Sequence, residues 1–172
     1  MKLALCLLTV AILLPPCCLS QTGIVTFYSS NNPIKDQLKE PVTLSGQYPA
    51  FQGYLFDGEE RLAHLNRGRF LTLRLPPGPH TFSAVYNSKK PGKAIVEINI
   101  QSRQHYCVRL STEYKNPAGP LLPVSLVNGQ IEQVDCQQAL KEAEKTKPLQ
   151  VDRIDATTRD KLETSTAFPQ DK

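Results

Sequence analysis

Five cysteines and three histidines are the side chains of this 172-residue sequence best suited to covalent or metal chemistry. Cys6, Cys17 and Cys18 fall in or beside an apolar N-terminal run, which leaves Cys107 and Cys136 as a pair in the remainder. An even pair in an exported chain predicts one disulfide. Cys107 lies on the opposite strand face from Tyr106 and Val108, and Cys136 lies on the apolar stripe of a helix. A helix packed on that strand face would bring the two thiols together and staple helix to sheet. Closing a loop of about 30 residues stabilises by ~3–4 kcal/mol on the chain-entropy account. His80, His105 and Cys107 form the candidate metal set, because His105 and Cys107 share a face at i, i+2 and such donors suit zinc or copper. No Cys-x-x-Cys or His-x-x-x-His pair accompanies them, and the expected disulfide already engages Cys107. No metal and no cofactor is therefore expected.

The remaining polar residues point away from catalysis. The sequence has no Gly-x-Ser-x-Gly elbow, no His-Glu-x-x-His helix and no glycine-rich phosphate loop opening a helix. No catalytic residue is nominated, and the expectation is a non-enzymatic protein. Asp57, Glu59 and Glu60 make an acidic turn that reads as a solvated hairpin tip; the ligand spacing of a calcium loop is missing. Lys89, Lys90, Lys93 and Arg103 make a basic edge. Such charges either blunt an edge strand or contact an anionic partner. There is no tryptophan, so sugar stacking would fall to Tyr28, Tyr48, Tyr54, Tyr86 and Tyr114, residues that serve equally as core or rim.

The elements that would position these groups are strands. Residues 23–29 (GIVTFYS), 41–47, 51–56 (FQGYLF), 61–65, 69–75 (RFLTLRL), 80–86 (HTFSAVY), 94–100, 104–111, 121–127 and 131–134 are short β-prone runs separated by turn signals. Asp57-Gly58 and Pro77-Gly78 are expected to be hairpin turns, and Asn128-Gly129 to join the last two strands. Leu71, Leu73 and Leu75 alternate with Phe70, Thr72 and Arg74, which predicts a half-buried strand. Asp135 caps a helix over 136–146, with Gln138 in capping-box position and Cys136, Ala139, Leu140 and Ala143 on one stripe. The expected fold is mainly β: an antiparallel β-sandwich of about 7–9 short strands with one C-terminal α-helix. Residues 147–172 hold five positive and five negative side chains and few large apolar ones. They read as a mobile polar tail with a short helical turn near 157–164.

Residues 1–20 have the layout of a signal peptide: Lys2, a 12-residue apolar run from Leu3 to Leu14, Pro15-Pro16, then Cys18-Leu19-Ser20. A spanning helix needs about 20 apolar residues, so the mature chain is expected to have no transmembrane segment. Cys17 or Cys18 keeps lipid modification open as an alternative to simple cleavage. Cleavage leaves residues 21–146 as one domain plus the tail, and loss of Lys2 takes the net charge from +4 to about +3, too little to argue for nucleic acid.

Tyr54-Leu55-Phe56-Asp57-Gly58, then Leu65, Gly68 and Phe70, then Leu75-Pro76-Pro77-Gly78-Pro79-His80 and Tyr106-Cys107-Val108-Arg109-Leu110 resemble a bacterial envelope domain family of unknown function. Its marks are an L-P-P-G-x-H hairpin and a Y-Y-V-R-V-like strand, and it is similar to PEGA-type repeats. The resemblance spans about residues 23–146. It implies a prealbumin-like or immunoglobulin-like sandwich in the cell envelope, often as a lipoprotein, and it carries over no catalytic residues. Together these readings predict an exported, periplasmic or surface-exposed protein-interaction module, with an envelope protein as partner. The alternative is a module that binds carbohydrate or peptidoglycan, with cell-wall polymer as partner.

Overall fold

The computed structural model describes residues 21–29, 51–86, 88–115, 126–163 and 168. The signal-peptide segment, the strand expected at 41–47, most of the strand expected at 121–127 and the extreme C-terminus lie outside them.

Among the described residues nine strands form two sheets. They are β1 (Gly23–Tyr28), β2 (Gly53–Asp57), β3 (Glu60–Leu65), β4 (Arg69–Leu75), β5 (Gly78–Val85), β6 (Ile95–Ile100), β7 (His105–Lys115), β8 (Leu126–Val134) and β9 (Lys147–Pro148). One sheet runs β8-β7-β1-β4-β9 and the other β3-β2-β5-β6. Pairing is antiparallel except between β1 and β7 and between β4 and β9. The mainly β, two-sheet architecture matches the sequence expectation.

Alternating residues fill the space between the sheets: Val25 and Phe27, Leu71 and Leu73, Val108 and Leu110 from one side, Leu55, Phe82 and Ile98 from the other. Phe27 meets Phe82 edge-on at 4.9 Å between ring centroids, across the sandwich. Ile98 and Ile100 of β6 point inward, as their spacing predicts, while Glu97 and Asn99 point out.

One α-helix among the described residues, α1 (Cys136–Ala143), lies on the outer face of the five-stranded sheet. Asp135 caps it, accepting from the amides of Gln137 and Gln138. Ala139 and Ala143 let the helix settle close on Tyr28, Phe70 and Cys107 to form a second, smaller core. That layer corrects the reading of β4 as half-buried. Phe70 faces α1, and Thr72 is buried with its hydroxyl 3.0 Å from that of Thr26, so β4 is covered on both faces. The helix is three residues shorter than expected. The amide and hydroxyl of Thr146 both donate to the Ala143 carbonyl and end it.

Two expected turns are not hairpins. β4 and β5 belong to different sheets, so Pro76-Pro77-Gly78 is a crossover between layers. Two successive prolines supply no amide to a ladder, which ejects the chain from the first sheet before Gly78 (φ 136°) starts the second. Asn128-Gly129 lies inside the continuous strand β8. A Cβ on Gly129 would come within 2.8 Å of the Ala84 carbonyl and 2.9 Å of the Phe51 ring, so this glycine serves close sheet packing rather than a turn. Asp57-Gly58 does close a hairpin: Asp57 pairs with Glu60 around Gly58 and Glu59, with Gly58 at φ 55°.

The polar tail expected from Lys147 onward is instead ordered through Glu163. β9 pairs with β4, and short 3-10 turns at Val151–Arg153 and Ala156–Lys161 follow, the second close to the helical turn the sequence suggested. Leu149, Ile154 and Thr158 are buried. Backbone bonds from Leu149 to Phe70, Asp155 to Leu62 and Glu163 to Thr72 tie this strap across β3 and β4. Average composition hid three apolar anchors among the charges, Leu149, Ile154 and Leu162.

Candidate functional site

Chemistry-bearing side chains gather in three places. The first is the helix–sheet junction. Cys107, central in β7, and Cys136, the first residue of α1, are disulfide-bonded, with Cα atoms 5.2 Å apart. The expected staple is in place because β7 alternation turns Cys107 toward the helix. His105 shares that strand face, and its Nε2 lies 2.9 Å from the Thr26 hydroxyl and 3.9 Å from Cys107 Sγ. Beside the disulfide runs an ionic network that residue spacing alone did not reveal. Arg109, 4% exposed, donates Nε to Glu132 at 2.8 Å and Nη1 to Glu142 at 2.8 Å. Tyr28 donates its hydroxyl to Glu142 at 2.6 Å. Burial pushes the Tyr28 hydroxyl far above its ordinary pKa, and the Glu142 hydrogen bond and charge add to this. Burial opposes the charge of Arg109, yet the two carboxylates outweigh it and hold the guanidinium above its usual value. The sequence signal was there in outline: Cys107 and Arg109 share a strand face, so a helix reaching one reaches the other.

The second place is the crossover. His80 does not join His105 in one metal set: it sits in the four-stranded sheet and His105 in the other. His80 Nδ1 lies 2.6 Å from Asp57 Oδ2, and Nε2 lies 3.1 Å from the Pro76 carbonyl. Its ring stacks on Phe82 at 5.7 Å. With both nitrogens engaged, the imidazole pins the Pro76-Pro77 crossover to β2. Asp57 therefore has a structural partner, and Glu60 pairs with Lys161 at 3.0 Å, so the acidic hairpin is more engaged than a bare solvated tip.

The third place is the outer edge of the four-stranded sheet. Its other edge, β3, is bridged by the strap at Ala63–Ile154. Among the described residues β6 has one hydrogen-bonded neighbour, β5. Antiparallel residues alternate between pairs that exchange backbone hydrogen bonds and pairs that do not. Thr81 gives its carbonyl to Gly58, on the β2 side, while the Ala84 amide bonds the Ala94 carbonyl, on the β6 side. Even-numbered residues of β5 therefore serve β6, and their opposite numbers Val96, Ile98 and Ile100 are the bonded residues there. Ile95, Glu97 and Asn99 turn their backbone groups to the free edge. Pro79, with no amide to give, stands opposite Asn99 as this phase requires. The Tyr106 hydroxyl takes up the Asn99 carbonyl at 3.3 Å. The backbone groups of Ile95 and Glu97 have no partner among the described residues.

The nominated basic residues bracket this edge. Lys89, Lys90 and Lys93 precede β6 and Arg103 follows it, in a turn where its φ is 63°. All four are exposed, and none has a carboxylate partner among the described residues. Ile95, half exposed at 52%, sits between them. The arrangement offers backbone hydrogen bonds, an apolar contact and flanking positive charge to an extended ligand. Of the tyrosines nominated for sugar stacking, Tyr28 is fully buried under α1, Tyr54 is half-buried against His64, and Tyr48 lies outside the described residues. No helix among the described residues is long and apolar enough to cross a membrane. No protein-family model, no curated protein and no solved structure matches the chain.

Proposed function

We propose that this chain is a non-enzymatic, exported envelope protein that works as a protein-interaction module. Its binding element is the free edge of β6, and its partner presents an extended, acidic segment. The observation that supports this most directly is that, among the described residues, the backbone groups of Ile95 and Glu97 have no partner and the four cations at the two ends of the same strand have no carboxylate partner. An added strand would gain main-chain hydrogen bonds from the edge, and acidic flanks would gain charge complementarity. Edge strands are normally shielded, and here the strap bridges β3 while β6 pairs with no strand other than β5 among the described residues. The disulfide is consistent with an oxidising compartment.

The test separates the edge from the fold. Crosslinking in intact cells followed by mass spectrometry identifies what is held, and Glu97→Pro then challenges it. Proline at 97 removes an amide that faces away from β5, so the β5–β6 ladder survives and the melting temperature stays near that of the parent. Partner capture is expected to drop at least tenfold. Capture unchanged by Glu97→Pro in a folded variant would refute strand addition. Retention on cell-wall polymer without a discrete protein partner would replace this reading with the glycan-binding one.

A further inference from the structure

The disulfide and its neighbouring histidine hold a second possibility that the oxidised chain conceals. His105 Nε2, Cys107 Sγ and Cys136 Sγ all lie within 4.8 Å of one another. We propose that reduction of the Cys107–Cys136 disulfide converts this cluster into a three-ligand site for a thiophilic divalent ion of the zinc type.

The donors are chemically matched. Two thiolates and an imidazole select zinc or similar borderline-soft ions over magnesium or calcium. The spacing is matched as well. With Zn–S near 2.3 Å and Zn–N near 2.05 Å, the S···N edge of a tetrahedral site is about 3.6 Å. Cys107 Sγ and His105 Nε2 already stand 3.9 Å apart. Cysteine sulfurs released from their bond separate toward the corresponding S···S edge by small side-chain rotations. Cys136 is free to make one, being only half-buried at the first turn of α1.

The electrons and protons balance in two steps. A small-molecule thiol or phosphine reductant gives two electrons to the S–S bond, and the cysteines take up two protons to become thiols. The ion then binds both sulfurs and displaces two protons to solvent. His105 gives up the Thr26 hydroxyl when Nε2 turns to the ion, and Thr26 keeps its bond to Thr72. His105 and Cys136 are each partly exposed, which leaves an entry path and room for water as the fourth ligand. Thus the oxidised chain has a staple and the reduced chain has a metal-held staple at the same junction.

The experiment titrates Co²⁺ as a spectroscopic probe into the untagged chain, oxidised and phosphine-reduced, followed by competition with Zn²⁺. The reduced chain should bind one Co²⁺ with thiolate-to-metal charge transfer and strong visible bands, and Zn²⁺ should displace it; the oxidised chain should show neither. His105→Ala should weaken Zn²⁺ binding roughly tenfold or more, the lower bound seen when even a supporting residue of a zinc site is lost. Cys136→Ser should lose about half of the charge-transfer intensity. Melting curves guard against loss of fold: Zn²⁺ should raise the melting temperature of the reduced chain and leave the oxidised chain unmoved. Absence of charge transfer, equal Zn²⁺ affinity in His105→Ala, or no Zn²⁺-dependent rise in melting temperature would each overturn the site.

Discussion

Arg109 ties the helix–sheet junction together beside the disulfide. It is a nearly buried cation held by Glu132 and Glu142, and the same Glu142 anchors Tyr28. Glu132 is half exposed, so solvent screens that pair and the weight falls on Glu142, which is 15% exposed. Removing one member of a buried pair strands the other, which costs more than the pair itself contributes. Arg109→Met is expected to destabilise the protein by about 3 kcal/mol. Adding Glu142→Gln to it should restore part of that loss, because the stranded carboxylate disappears. Urea midpoints of the two single variants and the double variant measure the coupling. Additive losses would mean that the two residues act independently. His80 teaches a complementary lesson about single residues. A histidine 2.6 Å from an aspartate looks like half of a catalytic pair, yet its second nitrogen is taken by the Pro76 carbonyl. What it secures is the direction in which the chain leaves one sheet for the other.

Among the elements, strand alternation and helix periodicity were legible in the sequence, and the connections were less so. Val96, Ile98 and Ile100 turn inward because a period of two allows no other face. Cys107 meets Cys136 for the same reason. The Leu-Pro-Pro-Gly segment misled because turn residues report that a chain bends, not whether it returns to its own sheet or crosses to the other. Gly129 misled because its missing side chain serves packing against Ala84. The strap was invisible because its anchors, Leu149, Ile154 and Leu162, are spaced irregularly among charges, with no period to detect. Ile154, 4% exposed, bridges to Ala63 of β3. Ile154→Ala should cost about 2–4 kcal/mol and raise amide exchange along β3 above that of β7, readable by hydrogen exchange. The far end of the strap is pH-sensitive. The Arg74 guanidinium, by its hydrogen bond, holds the Glu163 carboxyl below the usual 4.5, against a smaller opposing effect of burial. A carboxyl depressed on folding adds stability above its unfolded pKa and loses it as pH falls through the folded value. Exchange of the Glu163 amide, bonded to the Thr72 carbonyl, should therefore show extra acceleration below about pH 4.5 relative to the β7 amides, and Glu163→Gln should abolish that difference.

At the scale of the whole molecule, the two open sides of the sandwich differ in kind. On the β3–β4 side the strap closes the layers with backbone bonds and with the ion pairs Arg61–Asp155, Lys161–Glu60 and Arg74–Glu163. On the β6 side the cations Lys89, Lys90, Lys93 and Arg103 are left without partners among the described residues. A chain with a formal net charge of only +4 thus brings four exposed cations together around one edge. Charge placed this way acts mainly on encounter and on salt dependence, while main-chain bonds along Ile95 and Glu97 act on dissociation. The two contributions are separable. Reversing Lys89, Lys90, Lys93 and Arg103 to glutamate should leave thermal stability within a few degrees, because all four side chains are solvent-exposed. It should cut the association rate for an acidic strand by about tenfold or more at low ionic strength, and the parent's decline with added salt should vanish. Glu97→Pro should instead accelerate dissociation and keep the salt dependence. Surface plasmon resonance on the crosslinked partner, run across a salt series, measures both. If charge reversal left the association rate and its salt slope unchanged, the basic bracket would be a solvated shield for β6 and not the entrance to a binding edge.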